Sequence, residues 1–60
     1  MTIKKLLQSY DGGYFKIYTD FSDDEPIATE ATSDKELKKI LRKKFRFFTA
    51  TEHEIEIYIN

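Results

Sequence analysis

The basic residues of this chain, which can bind an anionic ligand, are concentrated in residues 33–48, SDKELKKILRKKFRFF. Helical spacing places its basic side chains on one face; they are Lys35, Lys38, Lys39, Arg42, Lys43 and Arg46. Phosphate binding requires such clustering, because each phosphate that is neutralised releases counterions. An acidic protein surface attracts the same charges, and a solvated helix has the same composition. The pattern predicts a basic face and leaves its ligand, if any, open.

A second candidate surface combines tyrosine with charge on one face of a strand. Tyr14, Lys16 and Tyr18 alternate with apolar residues, and Tyr58 is expected on the same face of the sheet. Exposed tyrosine is favoured at protein interfaces. Two further members of the face are acidic and would repel phosphate; they are Glu54 and Glu56. This face therefore predicts a protein contact, self-association included, although a tyrosine pair that only stabilises the sheet fits equally well.

An acidic turn is predicted at residues 20–25, immediately before Pro26. Its carboxylates belong to Asp20, Asp23, Asp24 and Glu25. The segment lacks the glycine and the closing glutamate of a calcium-binding EF-hand loop, so a solvated turn is the better interpretation. The turn is also a candidate contact for a protein partner. We expect no metal here.

Catalytic chemistry has few candidate groups in this sequence. There is one histidine and no cysteine. Neighbours in a strand point to opposite faces, so the segment Glu52-His53-Glu54 lacks the spacing of a metal site. Gly12-Gly13 is not followed by the Gly-Lys-Ser/Thr of a phosphate-binding loop. The sequence therefore predicts a protein that is not an enzyme and binds no cofactor.

The element that presents the basic face is predicted to be a helix over residues 33–46. Ser33 and Glu36 have the spacing of a capping box at its start. Leu37, Ile40 and Leu41 recur at helical spacing and form the apolar stripe. No glycine marks the end of the helix, which we place between residues 43 and 47.

The first ten residues fit two different elements. Residues 3, 6, 7 and 10 are apolar or aromatic at helical spacing, and Asp11-Gly12-Gly13 would stop such a helix. The same turn could instead join two strands, which would make residues 2–10 a strand. The sequence IKKLL at residues 3–7 resembles LKKIL at residues 37–41, and each precedes two strand-like segments. This similarity favours a helix and indicates a duplicated αββ unit.

Four strands are predicted by alternation or by aromatic and β-branched content, over residues 14–21, 27–31, 46–51 and 54–59. The favoured fold is α+β, a four-stranded antiparallel sheet with two helices on one face. The inner face of the sheet should carry Phe15, Ile17, Ile55, Ile57 and Ile59, packed against leucine and isoleucine of the helices. The alternative is β-β-β-α-β-β, with one helix.

Length and composition set the limits of the functional prediction. Sixty residues form one small domain, residues 1–60, with ten basic and eleven acidic side chains. No apolar run could span a membrane, and the first residues lack the apolar core of a signal peptide, so we expect a cytoplasmic protein. In its small size, its charge segregation and its lack of catalytic groups, the chain resembles the inhibitors and regulators carried by phages and mobile elements. The main hypothesis is a protein-binding regulator, and the alternative is a nucleic-acid-binding module that uses the basic face.

Overall fold

The computed structural model describes residues 1–10 and 13–60. Its elements are α1 (Ile3–Gln8), β1 (Tyr14–Tyr18), β2 (Ala28–Thr29), α2 (Asp34–Leu41), β3 (Phe47–Ala50) and β4 (Glu54–Tyr58). The predicted α+β class and the order α-β-β-α-β-β are confirmed, and the alternative that begins with a strand is wrong. Of the turn predicted at Asp11-Gly12-Gly13, the first two residues lie outside the described residues. Gly13 has a φ of 98°, which glycine adopts readily.

The four strands form one mixed sheet in the order β2-β1-β4-β3. The outer pairs, β1 with β2 and β3 with β4, are antiparallel. The central strands β1 and β4 are parallel, with Ile17 beside Ile57. A purely antiparallel sheet was therefore the wrong prediction. Alternation identifies which side chains share a face, but it does not identify which strand becomes the neighbour of another.

The repeated order of elements is not matched by equivalent positions in the sheet. The central strands are the first strand of the first αββ unit and the second strand of the other unit. The chain leaves β2 at one edge, passes through α2, enters β3 at the opposite edge and returns into the centre as β4. The similarity between residues 3–7 and 37–41 therefore describes the order of elements and not their placement.

The core lies between the inner face of the sheet and the two helices. Its buried apolar residues are Ile3, Leu6, Ile17, Ala28, Ile55 and Ile57. Partly buried residues pack around them: Leu7, Tyr10, Phe15, Leu37, Ile40, Leu41, Phe45 and Ile59. Every residue predicted to lie inside the sheet face contributes to this core. No residue of α2 is fully buried, so this helix covers the edge of the core and not its centre.

Helix α2 ends earlier than its sequence predicts. Its last residue is Leu41, and the backbone N–H of Ile3 donates to the carbonyl of Lys43 at 3.0 Å. Thr2 and Lys44 form a short antiparallel bridge. The segment after α2 therefore pairs with the start of α1 instead of continuing the helix. Ser33 occupies the predicted N-cap position, but its side chain makes no capping hydrogen bond, so the predicted capping box is absent.

Candidate protein-contact surface

The outer face of the sheet carries a cluster of four aromatic rings at one end. Tyr18 of β1 stacks on Tyr58 of β4, with ring centroids 5.2 Å apart. Phe47 of β3 stacks on the other side of Tyr58 at 4.7 Å. The ring of Phe21 is tilted against both neighbours, with centroid distances of 5.6 Å to Phe47 and 5.4 Å to Tyr58. We call Tyr18, Phe21, Phe47 and Tyr58 the aromatic cluster.

The members of the aromatic cluster differ in their access to solvent. Tyr18 is largely buried and Tyr58 is half-buried, so these two rings form the floor of the cluster. Phe21 is 67% exposed and Phe47 is 36% exposed. Both helices pack against the opposite face of the sheet, so no described helix covers these rings. The phenylalanines are therefore the side chains that a partner would touch first.

Phe21 lies on the outer face because β1 is shorter than the strand predicted over residues 14–21. Continued alternation would have placed its side chain on the same face as Phe15 and Ile17. The strand ends at Tyr18, and the N–H of Asp23 donates to the carbonyl of Asp20 at 3.1 Å to close a turn. Alternation applies only within a strand, so the turn carries Phe21 to the outer face. The signal that could have revealed this was the run of polar turn formers at residues 22–24.

The other predicted contact residues of the sheet face form a polar region beside the aromatic cluster. Tyr14 lies at the far end of β1 and is 60% exposed, and none of the described rings stacks on it. The Lys16 ammonium lies 3.1 Å from a Glu54 carboxylate oxygen. The hydroxyl of Tyr18 donates to Glu56 at 3.4 Å. The face therefore has an aromatic end and a charged end.

Two pKa shifts follow from these contacts. The hydrogen bond to Glu54 raises the pKa of Lys16, with the charge of Glu54 adding to it. Burial raises the pKa of Tyr18, and the charge of Glu56 adds to it. At neutral pH Lys16 is therefore a cation and Tyr18 is neutral. Lys16 balances the charge of Glu54, and Glu56 keeps its negative charge, so the aromatic end is the least polar part of the face.

The acidic turn borders the aromatic cluster. Asp20, Asp23, Asp24 and Glu25 are all exposed, and the chain places them on either side of Phe21. The carboxylate of Asp23 accepts the N–H of Asp20 at 3.1 Å. This local bond fixes the turn, and it leaves the charge of Asp24 and Glu25 directed at solvent. The predicted acidic contact residues therefore lie at the rim of the aromatic cluster.

The basic face lies on the helical side of the molecule. Lys35, Lys38 and Lys39 are exposed on α2, while Arg42 and Lys43 follow its last residue. Arg46 lies outside the helix, next to β3, so it does not belong to the helical face that was predicted. Contacts between α1 and α2 bring Lys4 toward α2. An open groove of about 450 Å³ results, lined by Lys4, Asp34, Leu37, Lys38, Leu41 and Arg42.

The turn with the single histidine is solvated. Thr51 accepts the N–H groups of His53 and Glu54 through its hydroxyl, which closes the β3–β4 turn. The imidazole of His53 lies 4.0 Å from the Glu52 carboxylate, and both side chains are highly exposed. Among the described residues, no three acidic or histidine side chains are grouped closely enough to hold a metal ion.

Comparison of the chain with protein-family models, curated proteins and solved structures finds no match. Neither of the described helices has the length and apolar composition needed to cross a bilayer. Phe21 and Phe47 are the candidate contact residues that the sequence analysis missed. Phe47 was recognised as part of a strand, but its pairing with Tyr58 depends on strand order, which alternation does not provide.

Proposed function

We propose that this protein is a small non-enzymatic regulator that acts by binding another protein through the aromatic cluster. The observation that carries the proposal is the exposure of Phe21 and Phe47 above the stacked tyrosines. Inhibition of a partner, of the kind practised by small proteins of phages and mobile elements, is the mode of action that best suits so small a chain. The proposal takes the cytoplasm as its place of action.

The composition of the surface supports this proposal. Energetically important interface residues are typically aromatic side chains surrounded by a polar rim that excludes water. The aromatic cluster has that arrangement, because the acidic turn borders it on one side and the ion pair of Lys16 with Glu54 lies toward the other end of β1. The basic face is on the opposite side of the molecule. Such charge segregation orients a protein as it approaches a charged partner.

Replacing Phe21 with serine is expected to weaken partner binding strongly and leave the fold intact. Phe21 lies in a turn, outside the strands, and two-thirds of its surface is exposed. Truncating a central aromatic contact typically weakens an interface by about 2 kcal/mol or more, which is roughly thirtyfold in affinity. The measurement is quantitative affinity capture from cells of the natural source, comparing the wild type with Phe21→Ser.

The matched control is Lys39→Ser, because Lys39 is also exposed but lies on α2, on the side of the molecule away from the aromatic cluster. Circular dichroism should show the same melting behaviour for both variants. A protein that is retained by the wild type and Lys39→Ser, and lost with Phe21→Ser, supports the proposal. Equal retention of that protein by Phe21→Ser would contradict it.

Nucleic-acid binding is a second candidate function, favoured by the groove between the helices. Lys4, Lys38 and Arg42 converge on this groove, and the neighbouring basic residues are exposed. Three cations around one depression can neutralise adjacent phosphates. Asp34 lines the same groove and opposes such binding. The chain as a whole also has a net charge of −1, which is unlike most general nucleic-acid-binding domains.

Fluorescence anisotropy with labelled DNA and RNA separates the two functions. The protein-binding proposal predicts no measurable binding at physiological salt. The nucleic-acid function predicts binding that weakens steeply with salt, by about 0.9 log units in affinity per log unit of salt for each duplex phosphate contact. The double variant Lys38→Glu/Arg42→Glu should then lose binding, whereas Phe21→Ser should retain it.

A further inference from the structure

Among the described residues, nothing protects the edge strand β3 against pairing with another strand. Its one neighbour in the sheet that these residues form is β4, and all four of its residues, Phe47–Ala50, are exposed. Natural sheets protect such edges with proline, charged side chains or bulges within the strand. The sequence FFTA contains neither proline nor charge. The opposite edge differs, because β2 has only two residues and follows Pro26 closely.

The hydrogen-bonding groups at this open edge can be assigned from the register. Thr51 donates its N–H to the carbonyl of Glu54 at 2.8 Å, and Thr49 pairs with Glu56. Because antiparallel ladders alternate, the backbone groups of Thr49 also face β4. The N–H and carbonyl groups of Phe48 and Ala50 therefore point away from the sheet. Two donors and two acceptors are available at the spacing that an added antiparallel strand requires.

The charges that flank β3 indicate which strand fits there. Arg46 precedes the strand and Glu52 follows it, and both side chains are exposed. If a second copy of β3 pairs with this strand in the antiparallel direction, the acidic end of each strand lies beside the basic end of the other. A parallel copy would bring like charges together. Opposite charges across an antiparallel pair stabilise it, and like charges destabilise it.

We infer that the protein forms a symmetric dimer in which β3 pairs with β3 of a second copy, so that the two sheets join into one of eight strands. With Thr49 on the two-fold axis, Phe48 lies opposite Ala50 of the partner subunit and exchanges both backbone hydrogen bonds with it. Arg46 lies opposite Glu52 of the partner subunit. The N–H of Arg46 is already bonded to the carbonyl of Tyr58, so Arg46 contributes to the dimer through its side chain.

This register also preserves the two faces of the sheet. Residues directly opposite each other in an antiparallel pair project from the same face. Thr49 and Phe47 belong to the outer face, where they pair with Glu56 and Tyr58. Pairing Thr49 with its copy therefore places both helical layers on one side and both aromatic clusters on the other. The dimer needs no partner protein, so its failure and that of the proposed function are separately detectable.

The test is sedimentation velocity of the full chain over micromolar to millimolar concentrations. The wild type is expected to be a reversible dimer. Arg46→Glu and Glu52→Arg each replace two attractive pairs by repulsive ones, and each should raise the dimer dissociation constant about tenfold or more. An equimolar mixture of these two variants should recover association, because every Arg then faces a Glu in the mixed dimer. Lys39→Glu, with the same charge change on α2, should leave the constant unchanged.

A second variant tests the backbone pairing. Ala50→Pro removes an N–H that points to the open edge and not to β4, a position where sheets accept proline. We expect a folded monomer, with folding checked by circular dichroism. If this variant does not fold, the charge-exchange mixture decides the question. A wild type that remains monomeric at every concentration overturns the inference, as does a dimer that is unaffected by all of these substitutions.

Discussion

Replacing Ile57 with alanine is expected to remove a large part of the protein's free energy of unfolding and to lower its unfolding midpoint strongly. Ile57 is completely buried in the central strand β4 and pairs with Ile17 of β1. Truncation of a buried isoleucine costs about 2–5 kcal/mol, because it removes buried apolar surface and leaves a cavity. A chain of this size is expected to have a free energy of unfolding of about 3–9 kcal/mol. One such substitution therefore removes a large part of the total stability.

The measurement is urea or thermal unfolding followed by circular dichroism, with Leu41→Ala as the matched control. Leu41 is the last residue of α2 and is only half-buried, so its truncation should cost much less. The pair of variants compares the centre of the core with its edge. A midpoint for Ile57→Ala close to that of the wild type would show that β4 is not the central strand of the core.

Replacing Glu56 with proline is expected to prevent folding, because β4 has a neighbour on each side. Glu56 lies beside Lys16 of β1 and Thr49 of β3. Proline cannot donate to the ladder, and a sheet accommodates it at edges but not in central strands. A lost bond that leaves a buried acceptor unsatisfied costs about 1–3 kcal/mol, and the ring adds steric clash.

Two controls separate the backbone effect from the side-chain effect. Glu56→Ala removes the carboxylate that accepts from Tyr18, but it retains the backbone N–H. Ala50→Pro places the same ring in the edge strand β3. Both controls should remain folded, as judged by circular dichroism, while Glu56→Pro should have the spectrum of an unfolded chain. A folded Glu56→Pro protein would contradict the strand order β2-β1-β4-β3.

The inner face of the sheet could be predicted because alternation is a local property of the chain. In β4 the sequence EIEIY alternates without interruption, and Ile55 and Ile57 are buried as expected. The start of α2 was also predictable, since Ser33 precedes the first helical residue. These predictions were correct because the direction of side chains repeats with a fixed period in a helix or a strand, and that period is visible within each segment's own sequence.

Strand order and the ends of elements depend on contacts between distant segments, and these were predicted poorly. The parallel pairing of β1 with β4 is one example. The end of α2 at Leu41 is another, because the residues that follow it bond to the start of α1. Helical periodicity continues through this segment, but a tertiary contact competes with it.

The aromatic cluster could be predicted only in part for the same reason. Tyr18 and Tyr58 share the outer face by alternation, and they were placed there correctly. Their direct stacking requires β1 and β4 to be neighbours, and the addition of Phe47 requires β3 on the other side. Phe21 joins only because a turn interrupts the alternation of β1. Periodicity therefore could not predict that Phe21, the most exposed ring, belongs to the aromatic cluster.

The measurement that tests the aromatic cluster most directly is site-specific photo-crosslinking in cells of the natural source. A photoreactive phenylalanine analogue replaces Phe21 in one version of the protein and Lys39, on the basic face, in another. The proposal predicts a discrete protein adduct from position 21, which disappears when Phe47→Ser is combined with it, and none from position 39. An adduct from position 39 alone, or adducts only with nucleic acid, would contradict the proposal.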